Sequence, residues 1–360
     1  MCSIITPWKT SQVMWRNKRK EEERGLETMM QVEMPIGSNI TDEEMQMVRE
    51  MGVHWLAVNF LPEDATDEGV TKLQERAARY DLEISNGGAI GVYKNTSIIL
   101  GRDDRDAAME RYNEFTRILG AHGIKGGYIA WQPNGILRTK VDVGEHTRGG
   151  ITMIADMDEI DARPILNDRV YGEQEIWDNF EWFLERALPV CEEADVKISL
   201  HPNDPPAPSL GGAYSLIWRS DDYRRAFKMA SDSPYLGMKL CTGCWLEGGE
   251  TFGNLMDDIA EFAPQGKIHV VHFRNVSGTM PYFEEVLAED GYADMFAIAK
   301  QLVKYGFDGT IDVDHVYRNP EWAGKDAPSL AGGSVWSAGY ATGYMKGLID
   351  AAYKTQEGGC

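Results

Sequence analysis

Short apolar runs alternate with longer amphipathic stretches along most of the chain, from about residue 30 to residue 353. The short runs are rich in β-branched and aromatic residues and are typical of buried strands. The longer stretches carry apolar residues three and four positions apart, which is the spacing of one helix face. Eight strand–helix pairs follow one another without a tandem repeat, and this alternation predicts a (β/α)8 TIM barrel.

Caps, turns and apolar spacing give the bounds of the predicted elements. Thr41 and Glu44 form a capping box for the first helix. Residues 86–88 (Asn-Gly-Gly) predict a turn after the third strand, and Pro189 predicts a kink in the fourth helix. The predicted strands are 31–36, 53–60, 82–85, 127–131 and the runs that end at His201, Cys241, His272 and Asp314; the predicted helices are 41–51, 66–80, 103–119, 176–190, 221–231, 252–262, 292–305 and 337–353.

A doubly wound open sheet is the alternative arrangement for alternating strands and helices. Such sheets bind nucleotides at a glycine-rich turn after an early strand, and no G-x-G-x-x-G follows the first strands of this chain. The length of 360 residues suits a single barrel with insertions. We therefore expect a barrel, with its functional groups at the carboxyl ends of the strands.

Three segments differ from the regular alternation. Residues 1–29 have mixed charges and no apolar period, so we expect an N-terminal extension before the barrel of residues 30–353. Residues 354–360 form a polar tail. Residues 132–171 follow the fourth strand, are rich in Gly, Thr and Asp and lack a period, which predicts a lid or binding loop.

Charge and composition exclude several classes of protein. The net charge of −21 opposes binding to nucleic acid or to an anionic membrane, because both require a basic surface. There is no run of about 18 apolar residues to span a bilayer, and the charged N-terminus lacks the apolar core of a secretory signal. The five cysteines do not suggest a disulfide framework. We expect a soluble cytoplasmic protein, with self-association into a homo-oligomer left open.

Four predicted strands end on side chains that bind metal ions. These are His201, Cys241, His272 and Asp314, which close the fifth to eighth strands. Parallel strands of a barrel bring their carboxyl ends to one rim. Imidazole, thiolate and carboxylate groups gathered there predict a site for one divalent ion.

Other polar residues near the strand ends have alternative roles. Asp204, in the proline-rich loop after His201, either caps that loop or orients an imidazole. Arg274 is either a surface charge or a clamp for a carboxylate. His315 follows the last ligand and does not easily share its direction, so it is free for proton transfer or is a solvated loop histidine.

Strand alternation separates two deeper residues from the ligands. His269 lies three positions before His272 and points to the opposite face of the strand, so it is expected to pack outward or lower down. Asp312 shares a face with Asp314 and is expected to support the site from below.

The segment Cys241-Thr242-Gly243-Cys244 also has the spacing of a redox dithiol. Thioredoxin-like dithiols, however, follow the first strand of a small fold. A zinc ribbon needs a second C-x-x-C, which the sequence lacks. We therefore expect Cys241 to be a metal ligand and Cys244 to be a bystander or a supporting group.

Four blocks in the second half resemble, in order and spacing, the signature of the mannonate dehydratase (UxuA-type) family, within the xylose-isomerase-like TIM barrels. They are 199–206 (SLHPNDPP), 240–243 (LCTG), 271–276 (VHFRNV) and Asp314-His315. The resemblance covers about residues 30–350. It implies a metal-dependent hydro-lyase of hexuronate catabolism that takes a small-molecule sugar acid and converts D-mannonate to 2-keto-3-deoxy-D-gluconate and water.

The resemblance also implies roles for individual residues. The ion would be Mn²⁺, with Fe²⁺, Co²⁺ and Zn²⁺ as alternatives. His315 would transfer a proton, and Asp314 would be a catalytic residue as well as a ligand. Independently of the resemblance, we expect Arg274, Asn203 and Asp204 to contact the substrate. The implied metal ligands are His201, Cys241, His272 and Asp314.

The chain departs from the family pattern in the loops. Asn203 replaces the usual aspartate, Asp312-Val313 replaces Arg-Pro, and Val316 replaces a glycine. The family's catalytic tyrosine has no counterpart in residues 332–336, so the second proton-transfer group is not assigned.

Three other functions stay open at the level of sequence. The first is a metal-dependent sugar isomerase or epimerase on the same barrel, although such sites usually have oxygen-rich ligands and no thiol like that of Cys241. The second is a redox or structural thiol protein. The third is a sugar-acid binding protein without activity.

Overall fold

The structure, a computed structural model, describes residues 29–319 and 329–357. The predicted N-terminal extension, apart from Met29, lies outside the described residues, as do the last three residues of the predicted tail. No helix within the described ranges is long and apolar enough to cross a membrane.

Eight strands form a closed barrel, and they follow one another around it in chain order. The pairing between neighbouring strands is parallel throughout, and the last strand closes the barrel by pairing Gln31 with Thr310 and Val32 with Ile311. The predicted fold is therefore confirmed. The strands are β1 (Gln31–Gly37), β2 (Trp55–Phe60), β3 (Glu83–Ala89), β4 (Gly126–Ala130), β5 (Lys197–His201), β6 (Leu236–Cys241), β7 (Ile268–His272) and β8 (Thr310–Asp312).

One long helix follows each barrel strand. The capping box predicted for the first helix is present, because the Glu44 amide donates to Thr41 Oγ1 and the Thr41 amide donates to Glu44 Oε2. The helices are α1 (Asp42–Glu50), α2 (Asp67–Ala78), α3 (Arg105–Ala121), α4 (Glu173–Ala194), α5 (Ser220–Met229), α6 (Leu255–Phe262), α7 (Met295–Lys304) and α8 (Val335–Glu357). Shorter helices cover Thr96–Ile99, Met157–Asp161, Thr242–Gly248 and, as a 3₁₀ turn, Gly249–Thr251.

The Asn86-Gly87-Gly88 sequence, predicted to be a turn, lies inside β3. A Cβ atom on Gly87 would lie 3.0 Å from Phe60 and Leu119, and one on Gly88 would lie 3.1 Å from a ring carbon of Tyr93. These glycines therefore serve close packing against the strand and do not turn the chain.

Three helices extend beyond their predicted ends, and α3 does so by two residues, to Ala121. Helix α4 continues for one more turn after Pro189 and ends at Ala194. Helix α8 reaches Glu357 and so includes residues that were expected to form the C-terminal tail.

Residues 132–171 contain regular structure instead of a loop without period. Lys140–Val143 and Ile151–Asp156 form an antiparallel hairpin, and Tyr282–Glu284, from the connection after β7, adds a third strand. The short helix Met157–Asp161 follows. Because one of the three strands comes from a distant part of the chain, its pairing leaves no local signal in the sequence.

Strand β8 ends at Asp312, two residues earlier than predicted. The backbone angle φ of Asp314 is 57°, which lies in the left-handed region. A β-strand cannot continue through a residue with this angle. The Asp314 amide donates to Asp312 Oδ1 at 2.8 Å, which holds this turn. The strand alternation used in the prediction therefore stops before Asp314.

Candidate active site

Three of the predicted ligands form one buried group at the carboxyl end of the barrel. His201, Cys241 and His272 are the last residues of β5, β6 and β7, and each offers one nitrogen or sulfur atom within 4.8 Å of the other two. Two ligand atoms that each lie roughly 2.0–2.3 Å from a shared ion are at most about 4.6 Å apart. The distances between the three ligand atoms are therefore close to those that binding to one shared ion requires.

Asp314, the fourth predicted ligand, lies against this group. Its Oδ1 is 3.1 Å from His272 Nδ1 and its Oδ2 is 3.7 Å from Cys241 Sγ. The structure thus brings all four predicted residues together. The left-handed turn at Asp314 allows this contact even though the residue lies beyond the end of its strand.

His201 is oriented by the loop that follows it. Its Nδ1 lies 2.7 Å from the Pro202 carbonyl, and because a carbonyl only accepts hydrogen bonds, this nitrogen carries the proton. Nε2 is then left with a free lone pair. Burial lowers the pKa of His201 and favours the neutral ring, which is the form that binds a metal.

His272 lies between two carboxylates. Its Nε2 is 3.5 Å from Asp312 Oδ2, and its Nδ1 faces Asp314. Although burial opposes a charge on this ring, Asp312 and Asp314 raise the pKa of His272 to about 9. Asp312 thus contacts the side of the ring away from Asp314, as expected for a supporting acid.

The two cysteines have opposite electrostatic environments. Burial alone would raise the pKa of the Cys241 thiol, but the Cys244 thiol and the guanidinium of Arg274 hold it well below its usual value. Burial and the neighbouring Cys241 raise the pKa of Cys244. Cys241 is therefore the thiolate of the pair, and a thiolate is the form of cysteine that binds metals.

This donor set fits a divalent metal ion. His272 Nδ1 is buried and forms no hydrogen bond of suitable geometry with a described residue, although the Asp314 carboxylate is close. Imidazole, thiolate and carboxylate groups that converge on one point are the ligands divalent transition metals take. An ion bound here would replace the proton that Asp312 and Asp314 favour on His272.

Arg274 connects the ligand group to other buried acids. Its Nε donates to Asp314 Oδ2 at 2.8 Å, its Nη1 to Glu247 Oε1 at 2.7 Å and its Nη2 to Asp204 Oδ2 at 3.2 Å. A Cβ atom at Gly243 would overlap this guanidinium, so the glycine leaves the space that Arg274 fills. Arg274 and Asp204 are therefore paired with each other, and their contact with substrate stays a prediction.

A second buried arginine, Arg138, was not identified from the sequence. It comes from the segment after β4, and its Nη1 is 2.6 Å from Asp204 Oδ1. Its Nη2 lies 2.7 Å from Glu285 Oε1 and 3.3 Å from Glu247 Oε1. We call Arg138, Arg274, Asp204, Glu247 and Glu285 the arginine–carboxylate cluster. Its members come from separate connections of the barrel, so no local pattern could reveal it.

His315 is held by two carboxylates next to the ligand group. Its Nδ1 lies 3.2 Å from Glu285 Oε2, and its Nε2 lies 3.5 Å from Asp314 Oδ1. Burial opposes its charge, but Asp314 and Glu285 raise the pKa of His315 to about 9. Glu285 was also missed, because it follows a strand outside the barrel.

The side chain of Asn203 links neighbouring segments through hydrogen bonds to their backbone. Its Nδ2 donates to the Trp131 carbonyl at 3.2 Å, and its Oδ1 accepts from the Ile217 amide at 3.0 Å. Both ends of the buried amide are thus engaged by backbone, and the predicted contact of Asn203 with substrate is not part of this arrangement.

A cavity of about 640 Å³ opens beside the ligand group. His272, Asp314 and His315 line one part of it. Tyr93, Tyr128, Lys94, Lys239, Asn39 and Asn59 are among the residues that line the rest. Its volume is in the range of small-molecule sites, and its polar lining suits a ligand rich in hydroxyl groups.

The closed barrel defines a TIM-barrel protein with a candidate metal site at its strand ends, and its fold is similar to that of a xylose-isomerase-like TIM barrel protein from Mycobacterium smegmatis, with a TM-score of 0.55 and 12% identity. Residues 56–358 match the model of the D-mannonate dehydratase (UxuA) family. The chain belongs to this family. It is accordingly a hydro-lyase of carbohydrate metabolism.

Individual relatives agree with this assignment. A mannonate dehydratase from Thermotoga neapolitana is 29% identical over 327 residues, which cover 81% of this chain and 88% of the relative. The crystal structure of mannonate dehydratase from Streptococcus suis serotype 2 matches with a TM-score of 0.79 and 21% identity, covering 91% of this chain and 96% of the other. L-ribulose 3-epimerase shares the fold, with a TM-score of 0.56, 14% identity and coverage of 91% and 97%.

Proposed function

We propose that the protein dehydrates D-mannonate to 2-keto-3-deoxy-D-gluconate and that a divalent ion, Mn²⁺ in the first instance, is held by His201, Cys241, His272 and Asp314. The observation that carries the proposal is the convergence of these side chains next to His315, in a cavity of suitable size. The names of the relatives and of the family agree with it.

The reaction breaks two bonds of the sugar acid. The C2–H bond loses its proton, and the C3–O bond breaks as the hydroxyl group takes up a proton and leaves as water; the resulting enol then becomes the 2-keto acid. When bound, the ion supplies Lewis acidity toward the carboxylate and the adjacent hydroxyl oxygen.

His315 is the proposed proton carrier. Because its Nδ1 faces Glu285, its Nε2 is the nitrogen that exchanges a proton with the substrate. Glu285 fixes the orientation of the ring, as an acid behind a catalytic histidine does. A positioned general acid or base typically contributes about 10²–10⁴-fold to the rate.

The segment of residues 132–171 is proposed to act as a lid. Its Arg138 reaches the arginine–carboxylate cluster and so ties the segment to the site. Burial of the cluster keeps water away from the acids that hold Arg274 in place. Arg274, Asn203 and Asp204 are proposed as substrate contacts, and any such contact requires a rearrangement of the pairs described above.

We further propose that residues 30–353 act as one barrel domain, preceded by the extension of residues 1–29 and followed by the segment of residues 354–360, whose first four residues continue α8. The eight sequential strands and their helices support a single domain. We also propose that the enzyme is cytoplasmic, assembles as a homo-oligomer and takes a small-molecule substrate.

The test is product formation from D-mannonate, other aldonates and neutral ketoses, with added Mn²⁺, Fe²⁺, Co²⁺ or Zn²⁺ and after chelation. Keto-deoxy acid formed from D-mannonate only in the presence of metal is the expected result. Epimerised ketose without dehydration would instead assign the protein to the isomerase and epimerase activities of this fold. Metal binding with no product from any substrate would reject the dehydratase.

A further inference from the structure

The cavity contains an ammonium group that no described residue neutralises. Lys94 lies between β3 and the short helix Thr96–Ile99 and lines the cavity together with Asp314 and His315. Within residues 29–319 and 329–357, its Nζ has no hydrogen bond and no ion pair. The nearest ring is that of Tyr93, whose centroid is 5.9 Å away.

The backbone on both sides fixes the position of Lys94. The Tyr93 amide donates to the Ala89 carbonyl, and the Tyr93 carbonyl accepts from the Ala130 amide at 3.1 Å. The Tyr93 ring packs against Tyr128 with 4.6 Å between centroids. On the other side, Asn95 caps the short helix through its side chain. The lysine therefore projects from an anchored turn of the cavity wall.

The other cations of the site are already paired. Arg138 and Arg274 contact the carboxylates of the arginine–carboxylate cluster at 3.3 Å or less. Lys239 is buried deeper, with its Nζ 3.9 Å from Asp312 Oδ2 and over the ring of Tyr128. An anion that enters the cavity thus meets one lysine whose charge is not matched by a close partner.

The surroundings of Lys94 favour a bound anion. Burial lowers the pKa of Lys94, and the carboxylates of Asp204 and Asp314 partly oppose this effect from a distance. A partly buried ammonium without a contact partner is unfavourable because its hydration is reduced. A carboxylate placed against Nζ would restore the lost interactions with charge-assisted hydrogen bonds.

We propose that Lys94 binds the carboxylate of the sugar acid and thereby selects anionic over neutral sugars. The inference rests on the proposed function, since the sugar acid is the ligand. One carboxylate oxygen would contact Nζ while the hydroxyl groups extend into the rest of the cavity, toward Asn39 and Asn59. Lys94 is then the residue that separates a sugar-acid enzyme from enzymes for neutral sugars on the same barrel.

The experiment compares D-mannonate with its neutral amide, D-mannonamide, on the metal-loaded protein. Lys94→Met keeps the unbranched, flexible side chain as far as Cε and removes the charged amino group, and Lys94→Gln is the second variant. Lys72→Met, at an exposed position of α2, is the matched control. Dissociation constants are measured by calorimetry, and kcat, KM and metal content are measured on the same samples.

We expect Lys94→Met to weaken D-mannonate binding by about 10- to 100-fold, the range of a lost charge-assisted hydrogen bond. Binding of the amide and the metal content should stay the same, so the preference for the acid falls. Lys72→Met should match the wild type. An unchanged acid-to-amide ratio in both Lys94 variants, or a loss of kcat with unchanged binding, would overturn the role of Lys94.

Measurements on the wild-type protein distinguish a failure of this inference from a failure of the proposed function. If it neither binds nor converts D-mannonate, the proposed function fails and the inference fails with it. If it converts D-mannonate and the Lys94 variants keep its preference for the acid, only the inference is wrong.

Discussion

The Nη1 atom of Arg138 lies 2.6 Å from Oδ1 of Asp204, and both side chains are almost completely buried. This contact joins the segment after β4 to the loop after His201, which orients that first candidate metal ligand. Since the second oxygen of Asp204 faces Arg274, the carboxylate connects two arginines from different parts of the barrel.

Replacement of Arg138 with Met should strongly destabilise the protein. The variant leaves Asp204, Glu247 and Glu285 buried with one arginine, Arg274, in place of two, and loss of one partner from a buried ion pair typically costs about 3–5 kcal/mol. Urea unfolding of the purified variant measures the loss. Lys140→Met, two residues away and exposed, is the control and should lie within about 0.5 kcal/mol of the wild type. Equal stability of both variants would show that the cluster does not depend on Arg138.

His315→Asn should abolish most of the activity and leave metal binding intact. The variant removes the proposed proton carrier, so kcat should fall by about 10²–10⁴-fold, whereas the four proposed ligands are unchanged. Glu285→Gln should cause a smaller fall, about 10–100-fold, because it weakens only the support of the ring. Steady-state kinetics with metal analysis on the same preparations tests both, and full activity of the asparagine variant would remove His315 from the mechanism.

Cys241→Ala and Cys244→Ala form a matched pair for the metal site. The first removes the thiolate at the end of β6, so bound metal and activity should be lost. The second removes the protonated thiol beside it, so bound metal should be retained. Elemental analysis after dialysis measures the metal bound to each variant. Metal retained without Cys241 but lost without Cys244 would reverse the assignment.

The acid stability of the fold should depend on His269. This ring packs against Gly237 of the neighbouring strand, away from the metal ligands as expected from strand alternation. Burial and the neighbouring Lys197 and Lys267 lower the pKa of His269 to about 3, below the value of about 6.5 in an unfolded chain. The neutral ring therefore contributes stability that is present above pH 6.5 or so and is lost as the pH falls toward 3.

His269→Gln should remove this dependence. Between pH 7 and pH 5, the free energy of unfolding of the wild type should fall by about 1–2 kcal/mol more than that of the variant. Urea titrations at the two pH values measure the difference. His146→Gln, which changes an exposed histidine, is the control and should behave like the wild type. Parallel pH profiles for His269→Gln and the wild type would contradict the prediction.

The barrel and most of the ligand group could be predicted because the relevant signals are local. His201, Cys241 and His272 each close an apolar run, and each is the last residue of its strand in the structure. A parallel barrel then brings these ends together without further information.

The rest of the site depends on contacts between distant segments. Arg138 forms ion pairs with Asp204, Glu247 and Glu285, which lie 66 to 147 positions later in the sequence. The end of β8 depends on a left-handed backbone angle at Asp314, which the alternation of polar and apolar residues does not encode. Lys94 is an ordinary lysine in the sequence and differs from the others only in what surrounds it.

The order of the strands around the barrel has a consequence for how the chain acquires its metal during synthesis. Strand β8 closes the barrel against β1, and the proposed ligands lie between β5 and the residues just after β8. A ribosome releases β1 to β4 first, with an open edge and none of the ligands. An ion held by all four proposed ligands can be enclosed only after Asp314 has emerged, which would make metal loading a late event in the synthesis of the chain.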